Sequence, residues 1–231
     1  MSETTEYHQT RFAPPPGALD LVLVRHGQSA AFLPGRPFPL VDGHGDPPLT
    51  EEGREQAERV GERLAGEGVD AIYVSTLSRT LQTAAPLAGR TRLAPRVYAD
   101  LREVHLGDWE GGLFRQKVAE RDPVAVRMLD QQRWDVIPGA EPADALSSRV
   151  RGVIGRLAAA HPDGRVVAFT HGGIIGEVLR LASGATPFAF VGSENGSISQ
   201  VVVVGPRWIV RRFNDTAHLS PGLATSSAPP I

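Results

Sequence analysis

LDLVLVRHG, residues 19–27, is an apolar run that ends in an arginine, a histidine and a glycine. Short runs rich in Val and Leu are typical of strands that are covered on both faces, as in parallel sheets. We therefore predict a buried strand from Leu19 to Val24. Ligands of open α/β sheets gather at the carboxyl ends of strands, so the polar residues that follow Val24 are candidates for a site.

The rest of the chain alternates between strand-like and helix-like segments. Strands are predicted at 71–75, 97–101 and 165–170, and helices at 50 to 66 or 68, 77–88, 142–160 and after Gly173. The runs SISQVVVV and RWIVRRF predict a hairpin that turns at Gly205-Pro206. This alternation favours an α/β three-layer sandwich with a mostly parallel central sheet and helices on both faces.

The length and the composition of the ends predict the domain organisation. A chain of 231 residues suits one sizeable α/β domain, which we place at 18–219. Residues 1–17 and 220–231 are rich in Pro, Ser and small residues, so we expect a disordered arm and a flexible tail. Residues 106–145 carry aromatic side chains among many charges and are interpreted as an irregular helical cap over the substrate.

Composition excludes several classes of function. The 24 basic and 26 acidic residues give a net charge of -2, too small for a broad field that grips nucleic acid or an anionic membrane. No cysteine is present, which excludes disulfides, thiolate metal sites and cysteine nucleophiles. With no signal-peptide core and no run of 18 apolar residues, we expect a cytoplasmic protein.

Charged and imidazole side chains follow the predicted strands. Arg25 and His26 follow the first strand, Arg79 lies just after the second, and His171 follows the strand at 165–170. Glu103 comes from the third extended stretch. Two arginines and two histidines that converge with a carboxylate form a phosphate site that contains a nucleophile, because forked guanidinium groups hold phosphoryl oxygens in pairs.

Each of these residue types has a chemical role in phosphoryl transfer. The neutral imidazole of His26 is the candidate nucleophile, and Gly27 beside it would let backbone amides approach the anion. His171 lacks the partners of a triad base and is interpreted as an imidazolium donor to a phosphoryl oxygen. Glu103 is expected to protonate the leaving group and later to activate water.

Neighbouring polar and glycine residues complete the predicted site. Gln28 and Ser29 are either hydrogen-bond partners of the substrate or turn residues. Gly172 follows His171 at a predicted helix N-terminus, where anions bind. Arginines dominate this set and would repel divalent cations, so we expect neither a metal nor another cofactor.

Five blocks of sequence resemble the histidine phosphatase superfamily, the phosphoglycerate mutase-like fold, in its branch 1. In chain order they are LVLVRHGQS, GDPPLTEEGREQA, VSTLSRTLQTA, LREVHLGDWEG and FTHGGII, and NGSIS and FNDTAHL near the end also match family features. The resemblance implies that His26 is phosphorylated, that Arg25, Arg79 and His171 form the phosphate pocket, and that Glu103 donates the proton. It also implies a metal-independent enzyme, monomeric or homodimeric, that acts on a small phosphorylated substrate.

Two positions depart from the family pattern, and a third between them matches it. Phe32 stands where many members have a pocket asparagine, seven positions after the signature arginine. Arg36 occupies the place of a family arginine and is a candidate substrate contact. Glu141 lies in Gly139-Ala140-Glu141-Pro142, where many members have glycine-glutamate-serine. The segment therefore matches the family pattern only in part.

Two alternatives to hydrolysis remain open. A mutase would return the phosphoryl group to a second hydroxyl, and RHGQS resembles mutases. The segment EVHLGDWEG, however, looks like that of the phosphatase members, and 106–145 lacks an evident basic cluster for a second phosphate. A domain that binds phosphorylated ligands without turnover is disfavoured by the intact His26 and Glu103.

Overall fold

The protein is described from a computed structural model, which covers residues 6–220. Its strands, in chain order, are β1 Leu19–Arg25, β2 Leu40–Val41, β3 His44–Gly45, β4 Ala71–Val74, β5 Arg96–Val97, β6 Arg165–Thr170, β7 Ile198–Val204 and β8 Arg207–Asp215. Its α-helices are α1 Glu51–Leu64, α2 Ser78–Thr91, α3 Leu113–Ala119, α4 Pro123–Gln131, α5 Ala143–Ala160 and α6 Gly172–Ser183. Short 3-10 helices lie at Ala99–Leu101, Gly107–Gly112 and Trp134–Val136.

The central sheet has six strands in the order β5-β4-β6-β1-β7-β8. Strands β5, β4, β6 and β1 are mutually parallel, whereas β7 and β8 are antiparallel and form an edge hairpin. The mostly parallel sheet that the sequence predicts is therefore confirmed. Its parallel strands end at one edge, which brings Arg25, Ser75 and Thr170 close to one another.

Successive side chains of a strand point to opposite faces of the sheet, so the strands contribute to two separate hydrophobic cores. Leu21, Leu23 and Ala168 pack with apolar residues of α5 and α6 on one face of the sheet. Val22 and Val167 pack with α1 and α2 on the other. Helices on both faces of the sheet confirm the predicted three-layer sandwich.

Helix α1 shows how local sequence sets an element that supports the site. The Thr50 side chain accepts a hydrogen bond from the Gly53 amide, and Glu51 and Glu52 occupy the positively polarised first turn. The helix ends at Leu64, two residues before the earlier of the two predicted glycine stops. Thr50 Oγ1 also donates a hydrogen bond to Gln28 Oε1, which connects the start of α1 to the loop after β1.

Two predicted segments differ from the structure. The stretch 97–101 was expected to be extended, but only Arg96–Val97 pairs with β4, and Ala99–Leu101 forms a 3-10 turn that buries Leu101. The long loop after β1 contains the small hairpin β2–β3, which has no alternating pattern to reveal it. The predicted irregular helical segment is present as α3, α4 and the 3-10 turns around them, with a core of its own near Met128.

The chain ends fall partly outside the described residues. Residues 6–17 form no helix or strand, although Phe12 lies under the guanidinium of Arg211, with 3.8 Å between Cζ and the ring centroid. The tail predicted at 220–231 lies outside the described residues beyond Ser220. No helix among residues 6–220 is long and apolar enough to span a membrane.

Candidate active site

A cavity of about 440 Å³ opens where the parallel strands end. Seven of the ten residues predicted for the site line it: Arg25, His26, Gln28, Ser29, Arg79, Glu103 and Gly172. Gly173 and Asn195 also line it. The floor therefore comes from β1, α2 and the start of α6, and the segment 106–145 supplies much of the remaining lining.

Arg25 extends from the end of β1 and leaves donors available for an anion. One of its guanidinium nitrogens, Nη1, donates to the Ser193 carbonyl. Its Nε is buried and has no hydrogen-bond partner among the described residues. Gly172 fits beside it, since a Cβ at that position would lie 3.5 Å from Nε. A buried, unpaired guanidinium nitrogen is costly unless a ligand accepts from it.

Arg79 is held in the first turn of α2 and is 7% exposed. Its Nη1 donates to the Gly45 carbonyl at 2.9 Å and lies 3.5 Å from a carboxylate oxygen of Asp46. Burial lowers its pKa to about 10, against the opposing effect of Glu103 and Asp46. Arg79 thus stays cationic at neutral pH, and the loop that carries Asp46 sets its direction.

His26 has the hydrogen-bond pattern of a nucleophile. Its Nδ1 lies 2.8 Å from the Gly27 carbonyl, which can only accept, so Nδ1 carries the proton and Nε2 presents a lone pair. Burial lowers the pKa of His26 well below its ordinary value, and Arg79 and Arg25 lower it further. The imidazole is therefore neutral at pH 7.

Gly27 has a packing role that differs from the one expected. Its amide donates to Thr83 Oγ1 at 3.0 Å, so it is not free to bind an anion. A Cβ at Gly27 would lie 2.4 Å from the carbonyl oxygen of Gly53. Glycine is required here because α1 passes directly against the loop that carries His26.

His171 is fully buried and lies against His26, with 5.2 Å between the ring centroids. Its Nε2 is 2.9 Å from Ser75 Oγ, while Nδ1 has no partner among the described residues. Burial lowers its pKa well below the ordinary value, and Arg79 contributes in the same direction. The lowered pKa favours a neutral His171 in the free site, whereas the imidazolium was expected as a donor to a bound phosphoryl group.

Glu103 reaches the cavity across the N-terminus of α6. Its Oε1 accepts from the Val104 amide at 2.9 Å and its Oε2 from the Gly173 amide at 3.2 Å. A Cβ at Gly173 would lie 2.5 Å from Oε1, so only glycine admits the carboxylate at this distance. Both carboxylate oxygens are oriented by backbone amides, which fixes their direction without using all their lone pairs.

Of the other predicted residues, Gln28 and Ser29 line the cavity with hydrogen-bonded side chains, and Arg36 lies outside it. Gln28 accepts from Thr50 Oγ1 and donates to Glu52, and Ser29 Oγ accepts from Arg115 at 2.8 Å. Arg36 is exposed and does not line the cavity. The structure thus places Arg36 apart from the other candidates.

The departures at Phe32 and Glu141 both have structural roles. The Phe32 ring pairs edge-on with Phe38, which lines the cavity, at 6.0 Å between centroids. Glu141 accepts two hydrogen bonds from the Arg149 guanidinium, at 2.8 and 2.6 Å. Because Arg149 also donates to the Asp100 and Arg102 carbonyls, this pair holds the segment that delivers Glu103.

Several cavity residues were missed by sequence reasoning. His44 and Arg115 line the cavity from the β2–β3 hairpin and α3. Asn195 lies within NGSIS, whose likeness to the family was the one available signal, and its side-chain amide donates to the His26 carbonyl at 3.0 Å. His44 and Arg115 lie in segments without clear periodicity, so nothing local marked them.

No group of three or more His, Asp or Glu side chains within residues 6–220 is arranged to hold a metal ion. The floor instead combines cationic and neutral donors, with two buried nitrogens, Arg25 Nε and His171 Nδ1, that lack a partner in this part of the chain. Such a donor set fits a tetrahedral oxyanion. The arrangement can hold a phosphoryl group beside the free Nε2 of His26.

Comparison with known proteins gives one family. The model of the histidine phosphatase superfamily (branch 1) matches residues 21–216. Phosphoglycerate mutase-like protein 4 of Arabidopsis thaliana is 32% identical over 205 residues, covering 87% of this chain and 86% of the relative. A metal-independent phosphoserine phosphatase of the same plant is 32% identical over 207 residues, covering 87% and 83%. The solved structure of a mycobacterial glucosyl-3-phosphoglycerate phosphatase aligns with a TM-score of 0.71 at 30% identity, covering 86% of this chain and 100% of the other.

Proposed function

Since the chain belongs to branch 1 of the histidine phosphatase superfamily, we propose that it hydrolyses phosphate monoesters through a phosphohistidine at His26. One observation carries the proposal. His26 presents a free Nε2 in a cavity that Arg25 and Arg79 also line, and the ring of His171 lies directly behind it, 5.2 Å away between centroids. Relatives named as phosphatases of phosphoserine and of glucosyl-3-phosphoglycerate support hydrolysis as the net reaction.

In the first step Nε2 of His26 attacks phosphorus and the bond to the alcohol oxygen breaks. Negative charge spreads over the three equatorial oxygens, where Arg25, Arg79 and His171 donate hydrogen bonds. The leaving oxygen takes a proton from Glu103. The products of this half-reaction are the free alcohol and phosphohistidine.

In the second step water replaces the alcohol. Glu103, now a carboxylate, takes a proton from the water as its oxygen attacks phosphorus, and the bond to Nε2 breaks. Inorganic phosphate leaves and His26 returns to its neutral form, with Nδ1 still bonded to the Gly27 carbonyl. The low pKa of His26 favours this step because a weakly basic nitrogen is a better leaving group.

A mutase would keep the phosphoryl group and needs a second anion site. The arginines that line the cavity are Arg25, Arg79 and Arg115, and all three act electrostatically on His26, which places them at the phosphoryl end. No lysine lines the cavity within the described residues. This distribution favours transfer to water.

The assay is release of phosphate from p-nitrophenyl phosphate in the presence of a chelator. We expect activity to persist without metal and to disappear in His26→Ala, while His8→Ala, an exposed histidine, serves as the control. Full activity of His26→Ala would refute the assignment of His26 as the nucleophile. Interconversion of phosphoglycerates that requires a bisphosphate primer would instead identify a mutase.

The substitution Glu103→Gln tests whether Glu103 acts as a general acid or only packs against its neighbours. The amide keeps the shape of the side chain but cannot donate the carboxyl proton. We expect alkyl phosphates to slow by about 100-fold or more and aryl phosphates, whose leaving groups need no proton, to slow far less. Equal slowing of both classes would contradict general acid catalysis by Glu103.

A further inference from the structure

A large part of the cavity lining is built from apolar side chains. This apolar wall consists of Phe38, Leu106, Trp109, Phe114, Val118 and Trp134. Its residues come from the loop after β1, the 3-10 turns and α3. Most of the wall therefore belongs to the cap, separate from the strand ends that deliver the catalytic groups.

Aromatic packing gives this wall a defined shape. Trp109 and Phe114 lie 6.2 Å apart between ring centroids, and Phe114 and Trp134 lie 6.0 Å apart. Trp134 in turn packs on Phe188, outside the cavity, at 4.8 Å. Linked rings of this kind are held in place by their neighbours, so they offer a preformed apolar surface to a ligand.

The charged groups near the wall are already engaged. Arg115 donates to Ser29 Oγ at 2.8 Å and to the Ala30 carbonyl at 2.6 Å, and its guanidinium lies 5.3 Å from the Phe38 ring centroid. Glu110 accepts from the Leu106 amide at 2.9 Å and the Gly45 amide at 2.8 Å. The Arg115 guanidinium is thus committed to the loop after β1 and to the Phe38 ring, and the Glu110 carboxylate is committed to two backbone amides.

We infer that the apolar wall binds the alcohol part of the substrate, and that this alcohol carries an apolar group about the size of an aromatic ring. The inference rests on the proposed phosphatase function and adds the substrate class to it. A cavity of about 440 Å³ holds such a group in addition to a phosphoryl group. An extra carboxylate or phosphate on the alcohol would meet apolar rings and Glu110 instead of an uncommitted cation.

The test compares two alkyl phosphates whose leaving groups have similar reactivity, 2-phenylethyl phosphate and ethyl phosphate, with phosphoserine as a third substrate. Burial of one aromatic side chain corresponds to a gain of about 10- to 100-fold in kcat/KM for the phenyl compound. A ratio near one, or a preference for phosphoserine, would overturn the inference. Failure to hydrolyse even p-nitrophenyl phosphate would instead overturn the proposed phosphatase function.

Substitutions in the apolar wall test whether the wall causes the preference for 2-phenylethyl phosphate over ethyl phosphate. Helix α3 has no fully buried residue, so Val118→Asn and Phe114→Ala change the wall at half-buried positions, and the Tm of each variant shows whether it is folded. We expect each to reduce the phenyl-to-ethyl ratio by about 5-fold or more. Val126→Asn, an exposed apolar position on α4 that does not line the cavity, is the matched control and keeps the ratio. An unchanged ratio in both wall variants would show that the preference arises elsewhere.

Discussion

At the scale of single residues, His26 links catalysis to stability. Its folded pKa is well below the ordinary value because it is buried beside Arg79 and Arg25. In the unfolded chain a histidine titrates near pH 6.5. As the pH falls through this value, the imidazole of His26 binds a proton in the unfolded chain but stays neutral in the folded protein. Folding therefore becomes less favourable.

This linkage predicts how the free energy of unfolding changes with pH. Between about pH 6.5 and 5, we expect His26→Gln to lose less stability than the parent, because the variant lacks the imidazole that takes up a proton on unfolding. Denaturant melts across this range measure the difference. His8→Gln should follow the parent curve because His8 is exposed. Parallel curves for His26→Gln and the parent would contradict the lowered pKa.

We predict that Ser75 determines which nitrogen of His171 carries the proton. Thr80 Oγ1 donates to the Leu77 carbonyl at 2.8 Å, so the single Ser75 hydroxyl hydrogen goes either to Thr80 Oγ1 or to His171 Nε2. When it goes to Nε2, a neutral His171 carries its proton on Nδ1, the nitrogen without a partner. A neutral ring can then donate to the phosphoryl group.

Ser75→Ala tests this positioning role. We expect kcat to fall about 10-fold with a smaller change in KM, because the donor acts mainly on the transition state. Nitrogen-15 NMR of His171 should show the proton moving from Nδ1 to Nε2. Ser183→Ala removes a remote hydroxyl that bonds only within its own helix end and should change neither reading. An unchanged His171 tautomer in Ser75→Ala would refute the role of Ser75.

At the scale of elements, the N-terminus of α6 and the Glu103 segment fit together through Gly173. A methyl group there would lie 2.5 Å from Glu103 Oε1 and 2.6 Å from a methyl carbon of Val104. Gly173→Ala should therefore displace the carboxylate and reduce kcat on alkyl phosphates about 10-fold or more. Steady-state kinetics measure this loss.

The matched control is Gly155→Ala in the middle of α5, where a Cβ would meet no atom within 4 Å. Alanine favours the helix, so this variant should be more stable by about 0.5 to 1 kcal/mol and fully active. If Gly173→Ala retained full activity as Gly155→Ala does, the close fit between α6 and Glu103 would not matter for catalysis.

Elements with a strong local pattern were predictable, and those fixed by tertiary contacts were not. β1 and β6 are continuous apolar runs, and α1 has a cap and an apolar stripe, so each was expected close to its observed bounds. β2 and β3 have two residues each, too few for any periodicity. The turn at Ala99–Leu101 forms because Leu101 is drawn into the core, which no local signal records.

At the scale of the whole molecule, the topology explains how much of the site could be predicted. Arg25, His26 and His171 follow parallel strands, and the sheet must bring such residues to one edge. Phe38 and Arg115 reach the same cavity from a loop and from the cap. Their positions depend on how these segments pack over the sheet, and a single sequence does not specify that packing.

An anion that binds the cavity should stabilise the whole fold. At 100 times its dissociation constant, inorganic phosphate contributes about 2.7 kcal/mol, which corresponds to a rise in Tm of roughly 5 to 10 °C. Thermal melts with and without phosphate at constant ionic strength measure this shift. Arg25→Ala should remove most of it, and an equal shift in that variant would place the bound phosphate outside the candidate site.

The central claim is that the phosphoryl group passes through His26. The most direct measurement is rapid quenching of the enzyme during turnover of a radiolabelled phosphate monoester, followed by peptide mapping under conditions that preserve phosphohistidine. We predict a label that is lost in acid, survives base and maps to residue 26, and that is absent from His26→Ala. A label on another residue, or steady hydrolysis by the parent enzyme with no covalent label, would contradict the account.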